Sequence, residues 1–162
     1  MPLLCCKAVQ SDGLSYVGGC GVAEDVARGL ALGRESEAVG SCFGQFVVGW
    51  CYDFGYGGVA QDYAEAVRLY RLAAAQGHAY AQSNLGYMFE KGRGVAQDYA
   101  EAVRLYRLAV DQGHAVAQYN LGYMFENGLG VARDRTEAIR WYRLAAAQGL
   151  ATAATALIRL RA

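Results

Sequence analysis

Apolar positions recur along this chain at helical spacing, in pairs of short segments. Between Ala79 and Glu90 they fall at Ala81, Leu85, Met88 and Phe89, and between Asp98 and Val110 at Ala102, Val103, Tyr106, Ala109 and Val110. Both sets trace one face of a helix with 3.6 residues per turn. The pattern predicts a first helix over about 79–90, a turn at Lys91-Gly92-Arg93-Gly94, and a second helix opening at Asp98. Asp98 stands three residues before Glu101, as Asp62 does before Glu65 and Asp134 before Glu137. This is the spacing of a capping box, in which the Asp carboxylate accepts from the third backbone N–H and the Glu reaches back. Gly77, Gly113 and Gly149 follow the second helices, where a left-handed residue ends a helix well.

The helix pair is repeated. Residues 79–114 and 115–150 have 36 positions each, of which 24 are identical. Residues 42–78 form a third copy with one extra glycine. Its second half, GVAQDYAEAVRLYRLAAAQGH, nearly duplicates the next copy, while its first half, GQFVVGWCYDFGYGG, has drifted. Residues 1–41 read as a degenerate N-terminal copy, because GVAEDVARGLALGRESEAVGS aligns with residues 58–78. Residues 151–162 are half a copy. There Ile158 takes the place of Gly122, and Arg159 and Arg161 replace aromatics, as expected of a capping helix that faces water. Gly49, Gly86 and Gly122 interrupt the first helices at a cost of roughly 1 kcal/mol each relative to alanine. Their recurrence predicts a close approach by a neighbouring helix.

The run AQxNLGYMFExGxGV, then D-x-x-E-A, then R-x-Y-R-L-A-x-x-Q-G, resembles the Sel-one-like repeat (SLR) family, a relative of the tetratricopeptide repeat. The resemblance implies an all-α fold: an α/α superhelix, or solenoid, of antiparallel helix pairs. It would comprise three clear repeats, the degenerate N-terminal repeat and the C-terminal capping helix, together forming a single repeat domain over 1–162. It further implies an adaptor or scaffold that binds a peptide or protein partner on the solenoid's concave face. Some cysteine-rich relatives are described as hydrolases acting on β-lactams. They carry a cysteine pair in each repeat, and residues 79–150 contain no cysteine.

Composition narrows the remaining classes. Fifteen Lys and Arg balance fifteen Asp and Glu, so the net charge is zero. A nucleic-acid binder would need a basic footprint. No apolar run approaches the roughly 20 residues of a membrane span. The start, MPLLCCKAV, lacks the basic and apolar regions of a secretory signal, so the expected location is cytoplasmic. Five cysteines, all before residue 52, do not suggest a disulfide framework. Cys42 and Cys51 lie too far apart on one helix to bridge, and the cysteines read as small buried apolar side chains. A monomer without cofactor or metal is expected, with self-association through the glycine-rich, aromatic N-terminal half as an alternative.

Candidate partner-binding residues follow from the first helices. Once the core positions are assigned, another face carries Ser83, Asn84 and Tyr87 in one copy and Tyr119, Asn120 and Tyr123 in the next; the drifted copy has Phe46 and Trp50 there. Aromatic side chains give large contact areas and dominate binding hot spots. One reading is a groove from Phe46 and Trp50 through Tyr87 to Tyr119 and Tyr123, with Asn84 and Asn120 bonding a peptide backbone. The other packs Phe43–Phe54 beneath the N-terminal copy and uses the asparagines to tie down loops between helices. Arg68/Arg71, Arg104/Arg107 and Arg140/Arg143 form a ladder on the second helices; one reading is a strip for acidic peptides or phosphates, and the other, favoured by the neutral chain, is a solvated face with Glu65–Arg68 type pairs. His78 and His114 occupy equivalent sites in successive copies, roughly 10 Å apart, too far to share a zinc ion. No nucleophile–base pair or phosphate-cradling motif stands outside the repeats, so no catalysis is expected.

Overall fold

The computed structural model describes residues 23–160, and every regular element among them is a helix. These are α1 (Ala23–Ala38), α2 (Cys42–Phe54), α3 (Tyr63–Ala75), α4 (Ala79–Lys91), α5 (Tyr99–Val110), α6 (Ala115–Asn127), α7 (Arg135–Ala147) and α8 (Ala151–Arg159). Residues 1–22 of the degenerate copy lie outside the described residues. The all-helical expectation holds, and the predicted helix limits are met within a residue or two.

The contacts fall into two compact units, residues 1–81 with 93–95, and residues 82–92 with 96–162. Within the first, α2 packs on both α1 and α3. Within the second, α6 packs on α5 and α7, and α8 packs on α7. In both units the core follows the sequence pattern. Ala66, Val67, Tyr70 and Ala73 of α3 are buried, as are their equivalents Ala102, Val103, Tyr106 and Ala109 of α5.

The helix starts refine the capping prediction. Asp62, Asp98 and Asp134 are N-caps whose carboxylates accept from the backbone N–H of Glu65, Glu101 and Glu137. The glutamates do not reach back. The cap N–H groups are already bonded to the carbonyls of Tyr52, Phe89 and Phe125 in the preceding helices. The glutamates are thereby released to pair with Arg68, Arg104 and Arg140 three residues on.

The mid-helix glycines mark the expected close approaches. A Cβ on Gly86 would lie 2.8 Å from the Tyr106 ring, and one on Gly122 2.9 Å from the Tyr142 ring. At Gly49 the Tyr70 ring and Leu69 are 3.1 Å away. Cys51 is a buried free thiol, and burial pushes its pKa up to about 11. Cys42 is buried as well.

Candidate functional site

Each buried tyrosine of a second helix is tied to an acid near the end of the first helix. The Tyr70 hydroxyl donates to Asp53 at 3.2 Å, Tyr106 to Glu90 at 2.7 Å and Tyr142 to Glu126 at 2.7 Å. Burial is the main cause that raises the pKa of Tyr106 and Tyr142, with the adjacent glutamates adding to it. Burial likewise raises that of Asp53. The loop that follows closes on the same place. Gln61, Gln97 and Arg133 donate to the backbone carbonyls of Asp53, Glu90 and Glu126.

This arrangement places Asn120 beside the Tyr106 hydroxyl of the preceding copy, where its side chain lowers the hydroxyl's pKa against the effect of burial. The drifted copy supports this logic. Val47 stands where Asn84 and Asn120 stand later, and Gly33 stands where the tyrosine would be. A Cβ on Gly33 would meet Val47 Cγ1 at 2.9 Å, so the valine fills the space of an absent ring and needs no amide. Asn84 is half-buried.

The other candidates divide by exposure. Phe46 is buried, stacked on His78 at 4.7 Å between ring centroids and tilted against Tyr70 and Tyr80. Ser83 is buried as well. Trp50 is half-buried over Val48, Cys51 and Leu69, and its ring meets Phe54 at 5.3 Å and Tyr56 at 5.1 Å. Phe54 and Tyr56 are about half exposed. Tyr56 was not a sequence candidate. It follows the helix in a glycine-rich turn, where helical periodicity carries no information.

In the second unit Tyr87 and Tyr123 are half-buried, and the Lys91 ammonium lies 5.6 Å and 5.9 Å from their ring centroids. Lys91 also pairs with Glu90 at 2.6 Å, and this bond is the first cause raising its pKa. Tyr119 leans on the Tyr142 ring at 5.4 Å. Tyr119 and Tyr123 line an open cleft of about 290 Å³, completed by Thr152, Thr155, Ala156 and Arg159 of α8. Arg159 is anchored to Glu126 at 2.7 Å. The cleft therefore offers two aromatic faces, two hydroxyls and one cation.

The histidines are structural caps. Nδ1 of His78 accepts from the Ala81 N–H at 3.2 Å, and Nδ1 of His114 from the Ala117 N–H at 3.1 Å. Burial lowers the pKa of His114 to about 4, keeping it neutral and able to accept. Among the described residues, no three His, Cys, Asp or Glu side chains are grouped so as to hold a metal ion, and no helix is long and apolar enough to cross a membrane.

Comparison with known proteins gives this geometry a family. The Sel1 repeat model matches residues 43–78, 79–114 and 115–150. Among solved structures, c5321, a protective antigen of uropathogenic Escherichia coli displaying an SLR fold, is 39% identical with a TM-score of 0.73; the match covers 89% of this chain and 31% of that one. A Sel1 repeat protein from Oxalobacter formigenes is 35% identical with a TM-score of 0.75, over 87% of this chain and 54% of that one. This chain thus spans about a third and about half of their respective lengths. Cysteine rich protein B of Helicobacter pylori shares the fold at 20% identity, with a TM-score of 0.62. No curated protein matches the sequence. Three consecutive repeat matches, laid over helix pairs that repeat the same caps, glycines and tyrosine–acid bonds, show that the chain belongs to the Sel1 repeat family.

Proposed function

We propose that this chain is a non-catalytic interaction module that holds a peptide or protein partner through aromatic side chains of its first helices. Sel1 repeats are in general protein-interaction modules. The observation that carries the reading is the cleft at Tyr119 and Tyr123, which exposes two rings beside Thr152, Thr155 and Arg159. Aromatic faces next to threonine hydroxyls and a guanidinium donor suit a peptide that brings both apolar side chains and backbone polar groups. In the first unit the Trp50, Phe54 and Tyr56 rings offer a second apolar contact. Phe46 is buried and Asn120 lies beside Tyr106, so the proposed contact residues are Trp50, Tyr87, Tyr119 and Tyr123.

The test is affinity capture from cell lysate with the full chain, comparing wild type with Tyr123→Ala/Thr155→Arg. The first change removes a ring and the second fills the cleft from an exposed position. Partners retained by wild type are expected to be lost from the variant, with the circular dichroism of both unchanged. Equal capture by a folded variant would remove the cleft from the binding surface.

A further inference from the structure

The second helices carry a pattern that the packing does not explain. Leu72, Leu108 and Leu144 occupy the same position in the three copies, and each is about 40% exposed (42%, 39% and 42%). Each follows an arginine: Arg71, Arg107 and Arg143. In the second unit, α5 and α7 both pack on α6, and their bodies carry five arginines against two carboxylates, Glu101 and Glu137. Those carboxylates are bonded to Arg104 and Arg140. Arg107 and Arg143 are exposed and have no carboxylate partner among the described residues. The exposed Asp111 beyond the end of α5 does not pair with Arg107. Along α7, an open depression of about 560 Å³ is bounded by Thr136, Ile139, Arg140, Arg143 and Leu144. These residues recur on one side of the helix over two turns, roughly 12 Å of its length.

We propose that the outward face of α5 and α7 docks an acidic, amphipathic helix of a partner protein. Leu108, Leu144 and Ile139 would receive the partner's apolar ridge, as helix ridges settle into grooves. Arg107 and Arg143 would pair with the carboxylates beside that ridge. The charge decides the sign of the partner: the net charge of the chain is zero, yet this face presents cations without counter-charges. The depression favours an inserted side chain over a lipid surface, which would need a protruding apolar patch. This surface belongs to the second helices and is separable from the tyrosine cleft.

Fluorescence anisotropy with the full chain tests the proposal. The probe is a labelled 18-residue helical peptide with a leucine ridge flanked by glutamates, and the control replaces the glutamates with lysines. Saturable binding of the Leu/Glu peptide is expected, weakening as salt rises. Arg107→Glu/Arg143→Glu should weaken it at least tenfold and favour the Leu/Lys peptide. Leu108→Ser/Leu144→Ser, at exposed positions that leave the fold intact by circular dichroism, should also weaken it at least tenfold, whereas Tyr123→Ala should not change it. Equal binding of both peptides by wild type, indifference to both double variants, or no saturation below about 1 mM would overturn the proposal. So would retention on phosphatidylserine/phosphatidylcholine vesicles that is lost in the same variants while the peptide is ignored. Self-association in sedimentation that both double variants abolish would assign the face to a second copy instead.

Discussion

The tyrosines of the second helices show how one residue holds several others in place. Tyr106 fills the space over Gly86, donates to buried Glu90 and has Asn120 of the next copy beside its hydroxyl. Tyr106→Phe keeps the ring but leaves buried Glu90 short of a donor. The expected loss is about 2 kcal/mol in urea denaturation, since a bond to a charged group is worth more than a neutral one. Gly86→Ala should also destabilise, by about 1–3 kcal/mol, although alanine ordinarily favours a helix. A Cβ 2.8 Å from a fully buried ring leaves nothing free to move, so a stabilised Gly86→Ala variant would mean that the packing is looser than described. His114 adds a pH dependence. Its folded pKa of about 4 lies below the ordinary 6.5, so the unfolded chain binds the extra proton first. Stability is therefore full above about pH 7 and falls as the pH drops from 6.5 toward 4, by on the order of 3 kcal/mol. The His114→Asn variant, which keeps a cap acceptor that does not titrate in this range, should flatten that part of the pH–stability curve.

Helix starts and surface pairs differ sharply in what they contribute. The Asp98 carboxylate accepts from the Glu101 N–H, and Asp98→Ala should cost about 1 kcal/mol. Arg104 makes two short bonds to Glu101, yet both side chains are solvated. Arg104→Ala should cost less than about 0.5 kcal/mol. Chemical denaturation of the two variants side by side checks the ordering. The capping glutamate is a case in which local spacing misleads. S/T/D-x-x-E spacing is compatible with a reciprocal box, but the carbonyls of Tyr52, Phe89 and Phe125 arrive from the preceding helix and take the cap N–H groups first. Backbone partners distant in sequence cannot be seen in a four-residue motif.

Across the molecule, contacts run mainly between neighbouring elements, so damage at one end should stay local. Helix α8 covers Tyr142 through Ala156, and Arg159 reaches Glu126. Deleting residues 151–162 should lower the melting temperature and speed amide exchange in α6 and α7, while exchange in α2 and α3 remains as in the full chain. Hydrogen exchange by mass spectrometry reads this directly. Uniform deprotection would show that stability is shared globally rather than passed between neighbours.

The sequence by itself determined the helices, their limits, the repeat length, the aspartate caps and the positions of close approach. These follow from short-range rules: apolar period, cap chemistry and the steric demand for glycine, each stated three times over by the repeat. It also placed Tyr119 and Tyr123 on a candidate contact face. Only the tertiary structure decided that Asn120 lies beside Tyr106, that Phe46 is stacked on His78, and that Tyr56 joins Trp50. It alone separated Arg104 and Arg140, which are paired, from Arg107 and Arg143, which have no carboxylate partner among the described residues. Each of these depends on which side chain a neighbouring helix or turn brings within bonding distance. A polar or aromatic residue looks the same in sequence whether its partner is another helix or the solvent.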